Sequence, residues 1–595
     1  MATTTAPVPF PERLTRIWET APGLYGVLAT VDHKTIGKRY LVTSMIFWYA
    51  APVLSGFSNY LWPLMLGSRD MACPRANALS YWTFLMSGVF LYTSFFLGAM
   101  PDRGWFAYAP LTEAAYSPGL NMDFYAIGLT FLSVSTTVGA VNFIVTLFKT
   151  RAPGLSVNRL PIFVWGTLTT SFAVLFAMPA LTGACLLLYF DRRFGTHFYD
   201  PGRGGSALLW QHLFWSFGHP WVYIVVLPAM GIISDLIPTF CRRPLVGYTF
   251  VALATVSTGI LGFGVWVHHM FATGINQTAS SFFSAASMVI TIPSAIAVWA
   301  WLATMWHGRP VFKTPMLFAA GFIVLFVIGG VSGVATAADA YDLQLTDTYF
   351  VVAHLHYVLI GINVFAVMAG FYYWLPKITG RMMHEGLGKL NFWLMFLGFG
   401  VGFFPMHTLG LMGMPRRIYT YADGLGWGWQ NMWITIGAYV FALGVVVFVA
   451  NFFWSLFSGE EAGPNPWDGP TLEWSTSSPP PPYNFGRIPI VGSRHPLWED
   501  RLGEGSGRTI LDDGPVLEQG RDTFGTTPLD AEPDEILRMP EDTVWPFILS
   551  LSLLVLAYGL LFGLIWLSAV GVVGLFISIV GWFLLSHEPM PTLEA

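Results

Sequence analysis

The chain has 595 residues, 54% of them hydrophobic and only 11% charged, with a formal net charge of −5. A soluble protein carries about 25% charged residues, so the composition excludes an ordinary water-soluble domain. The small net charge and the lack of a basic tract exclude nucleic acid as a partner, and Cys73, Cys185 and Cys241 have no paired spacing for a disulfide framework, a thiolate metal site or a covalent haem attachment.

Met1 to Lys38 is polar and proline-containing, without the apolar core of a cleavable signal. Residues 1–39 are therefore expected outside the membrane. Apolar runs predict spans at 40–67, 79–100, 123–147, 160–190, 207–235, 247–270, 282–304, 314–336, 350–375, 390–412 and 431–457, which make one helix bundle over 40–457. The stretch 458–543, with its proline run Pro479–Pro482, reads as an extramembrane linker with little regular structure. Spans at 544–566 and 568–586 give a two-helix hairpin over 544–586, followed by a tail, 587–595. The fold class is an all-α polytopic membrane bundle of about eleven core helices plus two C-terminal ones.

Basic residues orient the bundle. Lys149, Arg151 and Arg159, then Arg242 and Arg243, then Arg309 and Lys313, then Lys377, Arg381 and Lys389 fall on every second loop, which is assigned to the cytoplasm. Counting back from 148–159 puts the N-terminus outside, yet Lys34, Lys38 and Arg39 precede the first span. The chain reads as one helix short at its start.

His219, His268, His269, His354 and His356 lie inside apolar segments. Ionisable groups at membrane depth are costly and so read as functional, and imidazole is the usual ligand of copper and haem iron. At about 100° of rotation per residue, His219 and Tyr223 share a helix face. His268 and His269 diverge by about 100°, so both reach one ion only near a helix end or bend. With His219 they would make a three-imidazole site with an open position. His354 and His356 point about 200° apart, so one helix can hold two different irons, one on each side. His33, His307, His384, His495 and His587 are expected to be solvated, and His197, His212 and His407 have no evident partner.

The segments GTHFYDPGRGG (195–205), WQHLFWSFGHPWVYIVVLPAMGIIS (210–234), HHMFATG (268–274), DTYFVVAHLHYVL (347–359), GMPRR (413–417) and NPWDGPTLEWSTSSPPPPYNF (465–485) resemble subunit I of the haem-copper oxidases, from about Asp32 to Phe485. The resemblance implies a catalytic subunit that reduces O2 to water. It implies copper on His219, His268 and His269, a high-spin haem, a-type, on His354, and a low-spin haem on His356. His219 and Tyr223 become catalytic, Tyr223 matching a tyrosine bonded covalently to the copper-ligating histidine. Arg416, Arg417 and Trp105 match residues at the haem propionates, where guanidinium forks suit carboxylates. Asp347 matches a magnesium ligand, although Thr346 stands where many members have histidine. Asp70, Asn59 and Asn77 match the entrance of a proton route.

Several departures stand out. DHKTIGKRYLVTSMIF (32–47), which resembles the family's first helix, runs directly into WYAAPVLSGFSNYLWPLML (48–66), part of its second, as though everything between two MIF triplets were missing. Aligned on MIF, Leu41 takes the place of the second low-spin haem histidine. Trp221 takes that of a proton-relay glutamate and Ala297 that of a relay lysine.

The resemblance further implies a bacterial cytoplasmic-membrane enzyme fed by cytochrome c through a subunit II that carries the electron-entry copper centre. A subunit III-like chain and membrane lipid complete its surroundings. Alternatives are nitric oxide reduction, against which Tyr223 argues, and a catalytically impaired haem-binding paralogue, which Leu41 favours. A transporter is disfavoured because the spans show no inverted repeat.

Overall fold

A helix of 15 residues rises about 22 Å, short of the hydrocarbon core of about 30 Å. The computed structural model describes residues 9–47, 50–502, 511, 514–517 and 520–585, so the expected tail at 587–595 lies outside the described residues. The single span expected at 40–67 is corrected. Two short helices occupy this stretch, His33–Phe47 and Ala50–Leu66, of 15 and 17 residues, packed antiparallel on each other. Glycine permits the approach: a Cβ on Gly37 would stand 2.8 Å from the Tyr60 amide nitrogen. His33 Nδ1 lies 2.8 Å from the Asn59 carbonyl, so both ends of the hairpin face one side.

The hairpin resolves the charge conflict. The Ala152 amide donates to the Leu66 carbonyl at 2.7 Å, which joins the hairpin's open end to the basic loop after Lys149. Lys34, Lys38 and Arg39 thus stand on the positively charged side, and the rule holds from the first helix onward. Two short helices in place of one span account for the helix that the alternation counts as lost.

Pro74–Phe96 follows, and eleven further helices among the described residues are long and apolar enough to cross a membrane, from Asn121–Lys149 to Ile565–Leu584. Ala207–Cys241 is the axis of the bundle. Its apolar stretch is 94% buried, against 22% for Gly428–Ser458 at the rim, as expected where one helix meets protein on all sides and the other meets lipid. In the C-terminal hairpin, Trp545–Phe562 packs on Pro74–Phe96 through Trp82 and Phe547, Phe90 and Tyr558, and a Thr83–Ser550 hydroxyl contact of 3.0 Å.

The linker has little regular structure among its described residues, but it is packed on the bundle. The segment holds a helix, Pro496–Leu502, and an antiparallel pair, Asp522–Thr526 with Pro533–Arg538. Trp474, Phe485, Ile488 and Val491 are buried in the main core. Carbonyls that a proline-rich chain cannot pair with itself are taken by buried cations. Lys377 Nζ donates to the carbonyls of Pro464, Thr476 and Ser477, and Arg69 to those of Phe485, Gly486, Leu517 and Asp522. His33, expected to be solvated, is fully buried here, with Nε2 2.9 Å from Asn484 Nδ2. His307 and His384 are exposed as expected.

Candidate metal centre

The Ala207–Cys241 helix brings His219 to the middle of the bundle, immediately before Pro220, and places Tyr223 one turn on with its ring centroid 4.7 Å from the imidazole. His268 and His269 follow the break after Tyr248–Leu261 and sit in a 3₁₀ stretch, Trp266–Thr273. This is the helix end that adjacent histidines need to converge, and their ring centroids are 4.4 Å apart.

The ligand atoms of His219, His268 and His269 all lie within 4.8 Å of one another, the one such group of His, Cys, Asp or Glu among the described residues. His219 Nδ1 is 3.2 Å from His269 Nε2. Nitrogens held at about 2.0–2.1 Å by one ion in tetrahedral array stand about 3.3 Å apart, so the spacing suits a shared metal. The outer supports are present as well. His268 Nδ1 lies 2.9 Å from Ser287 Oγ, and the His269 ring stacks on Trp215 at 3.8 Å. His219 Nε2 is buried with no hydrogen-bond partner.

His354 Nδ1 lies 3.1 Å from both the Gly329 carbonyl and Ser332 Oγ, which leaves Nε2 as the ring nitrogen available to a metal. Gly333 leaves the room: a Cβ there would stand 2.9 Å from His354 Cε1. His356 Nδ1 is 2.7 Å from the Val352 carbonyl, and its ring stacks on Phe403 at 4.6 Å. A π-helical stretch, Tyr357–Val364, begins directly after it, a form frequent at functional sites.

Arg416 and Arg417 lie over the Phe106 ring at 5.5 and 5.1 Å, and Arg416 Nε is buried without an acceptor. Such an unpaired guanidinium fits a carboxylate. Trp105 packs on Phe214 and Trp215, and Trp215 Nε1 donates to Tyr108 Oη at 2.7 Å. Asp347 joins no metal-ligating group among the described residues, and its carbonyl accepts the Arg416 amide at 2.8 Å.

Asp70, Asn59 and Asn77 are all buried near the hairpin. Burial, reinforced by the charge of Asp32, pushes the Asp70 pKa well above the usual carboxylate range. Beyond them, Tyr40 Oη lies 2.8 Å from Ser80 Oγ, and Ser80 and Ser135 each donate to the other's carbonyl. Sequence reading missed Tyr40, Ser80 and Ser135, polar residues on apolar helices. It also missed Ser287, Ser332 and Gly329, whose distance in sequence from the histidines gives no local signal. His407 is buried beside Phe350 and Tyr357, with Nε2 unpartnered. Trp221 packs on Phe217, and Ala297 is buried in the core.

A polytopic bundle with a three-imidazole group inside it, His219 buried and His268 and His269 half-buried, beside a second helix bearing two histidines defines a membrane redox metalloprotein. Residues 42–440 match the family model described as cytochrome c and quinol oxidase polypeptide I. Cytochrome c oxidase subunit 1 of Bacillus subtilis is 45% identical, over 87% of this chain and 80% of that protein. The Bacillus sp. PS3 subunit of the same name is 43% identical over 95% of each, and quinol oxidase subunit 1 of Bacillus spizizenii is 41% identical over 90% and 80%. The fold is also similar to a cryo-EM structure of a haem-copper terminal oxidase dimer, at TM-score 0.59 and 19% identity over 76% of this chain and 81% of that one. The chain belongs to the haem-copper oxidase family as a subunit I, an integral membrane oxidoreductase of the terminal-oxidase class that uses haem and copper, takes O2 and works with partner subunits.

Proposed function

We propose that this chain is the oxygen-reducing subunit of a bacterial cytoplasmic-membrane oxidase, which converts O2 to water with electrons from cytochrome c passed through a subunit II. The observation that carries it is the 3.2 Å approach of His219 Nδ1 to His269 Nε2, with Tyr223 beside them. When bound, a-type haem and copper would pass those electrons on and hold the gas. The protein's own groups do the rest.

His219, His268 and His269 hold copper as neutral imidazoles, with Ser287 and Trp215 fixing two of the rings. His354 holds the high-spin haem through Nε2, its tautomer set by Gly329 and Ser332. Arg416, Arg417 and Trp105 hold propionates. The free Nε2 of His219 supports the covalent bond to the Tyr223 ring that the family resemblance implies. The Tyr223 hydroxyl donates a proton and an electron as O2 is reduced.

Protons enter at Asp70, Asn59 and Asn77 and pass the Tyr40, Ser80 and Ser135 hydroxyls. Tryptophan at 221 and alanine at 297 carry no protons, so turnover is slow and uncoupled from pumping. Asp347 is a candidate magnesium ligand, and the C-terminal hairpin takes part of the place of a subunit III-like chain. Leu41 favours a second reading, an impaired haem-binding paralogue. Oxygen uptake by the purified complex, with reduced cytochrome c and with a quinol as alternative donors, tests the proposal. Uptake with cytochrome c supports it, uptake only with quinol reassigns the donor, and none with either favours the paralogue.

A further inference from the structure

Between the His33–Phe47 and Pro74–Phe96 helices lies an open cleft of about 270 Å³, lined by Thr35, Lys38, Arg39, Val42, Thr43 and Tyr81. Two adjacent cations thus share one hollow with three hydroxyl side chains. Thr43 Oγ1 lies 3.1 Å from Tyr81 Oη. Lys38 is exposed and forms no ion pair among the described residues. Arg39 lies 5.8 and 5.4 Å from the Tyr81 and Trp82 ring centroids, with Nη1 buried and without an acceptor. Two rings hold the guanidinium, and no described carboxylate pairs with it. The nearest charge of opposite sign, Asp32, is occupied by Lys34 at 3.1 Å and by the Thr35 amide.

Depth narrows the ligand. Lys38 and Arg39 come five and six residues into a helix that starts at His33, about 8–9 Å past its first residue. This is the headgroup level of the positively charged membrane face. Beyond them toward the membrane interior Val42 is 57% exposed, an apolar edge for an acyl chain. Basic pockets between helices on this face suit anionic lipid headgroups.

We propose that the cleft binds the phosphodiester of an anionic phospholipid, with Lys38 and Arg39 as counter-charges, the hydroxyls of Thr35, Thr43 and Tyr81 as donors, and Val42 against the chain. The lipid braces the short hairpin against Pro74–Phe96. It takes no part in the redox chemistry.

The purified complex, stripped of lipid in detergent and reconstituted into phosphatidylcholine nanodiscs with or without phosphatidylglycerol, tests this by mass spectrometry of the lipid it retains. Phosphatidylglycerol should be retained in preference, and K38Q and R39Q should each weaken retention about fivefold while R39K preserves it. Lys38 is exposed and lies outside the packed core, so K38Q tests the site without loss of fold. Retention by K38Q equal to the parent, or equal retention of both lipids, overturns the proposal. Displacement of phosphatidylglycerol by matched inorganic phosphate overturns the lipid assignment and leaves a phosphate site.

Discussion

Leu41 lies against Gly56, where a Cβ would stand 2.8 Å from the leucine Cδ2. The contact ties the first short helix to the second and spends the residue on packing. An isobutyl group has no lone pair for iron, and His356 has no second imidazole among the described residues around it. The reduced-minus-oxidised spectrum of the complex should therefore lack a normal six-coordinate low-spin band. Such a band assigned to this chain would show that another ligand completes the site.

Tyr223 packs so closely on Gly262 that a Cβ there would stand 2.7 Å from the tyrosine Cδ2, which fixes the ring beside His219. Tyr223→Phe should keep both metals and stop turnover, because it removes one hydroxyl and no ligand. Peptide mapping of the parent should recover His219 and Tyr223 as one cross-linked species lighter by two hydrogens. Parent-rate oxygen uptake by the Phe variant would remove the tyrosine from the chemistry.

Trp221 lies one turn from Phe217 against the central core. Trp221→Glu should raise turnover if the entrance at Asp70 is intact, and Ala297→Lys is the parallel test of the other route. Proteoliposomes of the parent with its partner subunits should show no outward acidification during oxygen pulses. Acidification by the parent would reveal a relay that bypasses Trp221.

Asp342, in the short helix Asp339–Leu345, has its pKa pushed up to about 7, first by burial and then by the charges of Asp339 and Asp347. The folded state keeps a proton there that an unfolded carboxyl, at about 4, releases. Its contribution to stability is full below the unfolded value and is lost as pH rises through about 7. The melting temperature should fall between about pH 4 and 7, and Asp342→Asn should flatten that slope. An unchanged slope in the variant would assign the effect to other groups.

Much of this was legible in the chain. Hydropathy located the long spans because each must present an apolar surface to lipid, and helix rotation showed that His268 and His269 could converge only at a helix end or bend. The hairpin at His33–Phe47 and Ala50–Leu66 was not legible as two elements, because hydropathy measures apolarity and not direction. Lysine placement nevertheless registered the anomaly. The linker's order was hidden for another reason: its prolines read as disorder, while the cations that hold it, Lys377 and Arg69, lie far off in sequence. Ser287 and Ser332 escaped likewise, since a support for a histidine is fixed by packing between helices.

Metal content of the parent and of His269→Ala tests the three-imidazole centre most directly. The parent complex should hold one copper at this site and a high-spin haem on His354. The variant should lose that copper and its oxygen uptake and keep the haem, since the three rings act as a unit around one ion. Full copper occupancy in His269→Ala, or a parent with haem but no copper at this site, would contradict the assignment.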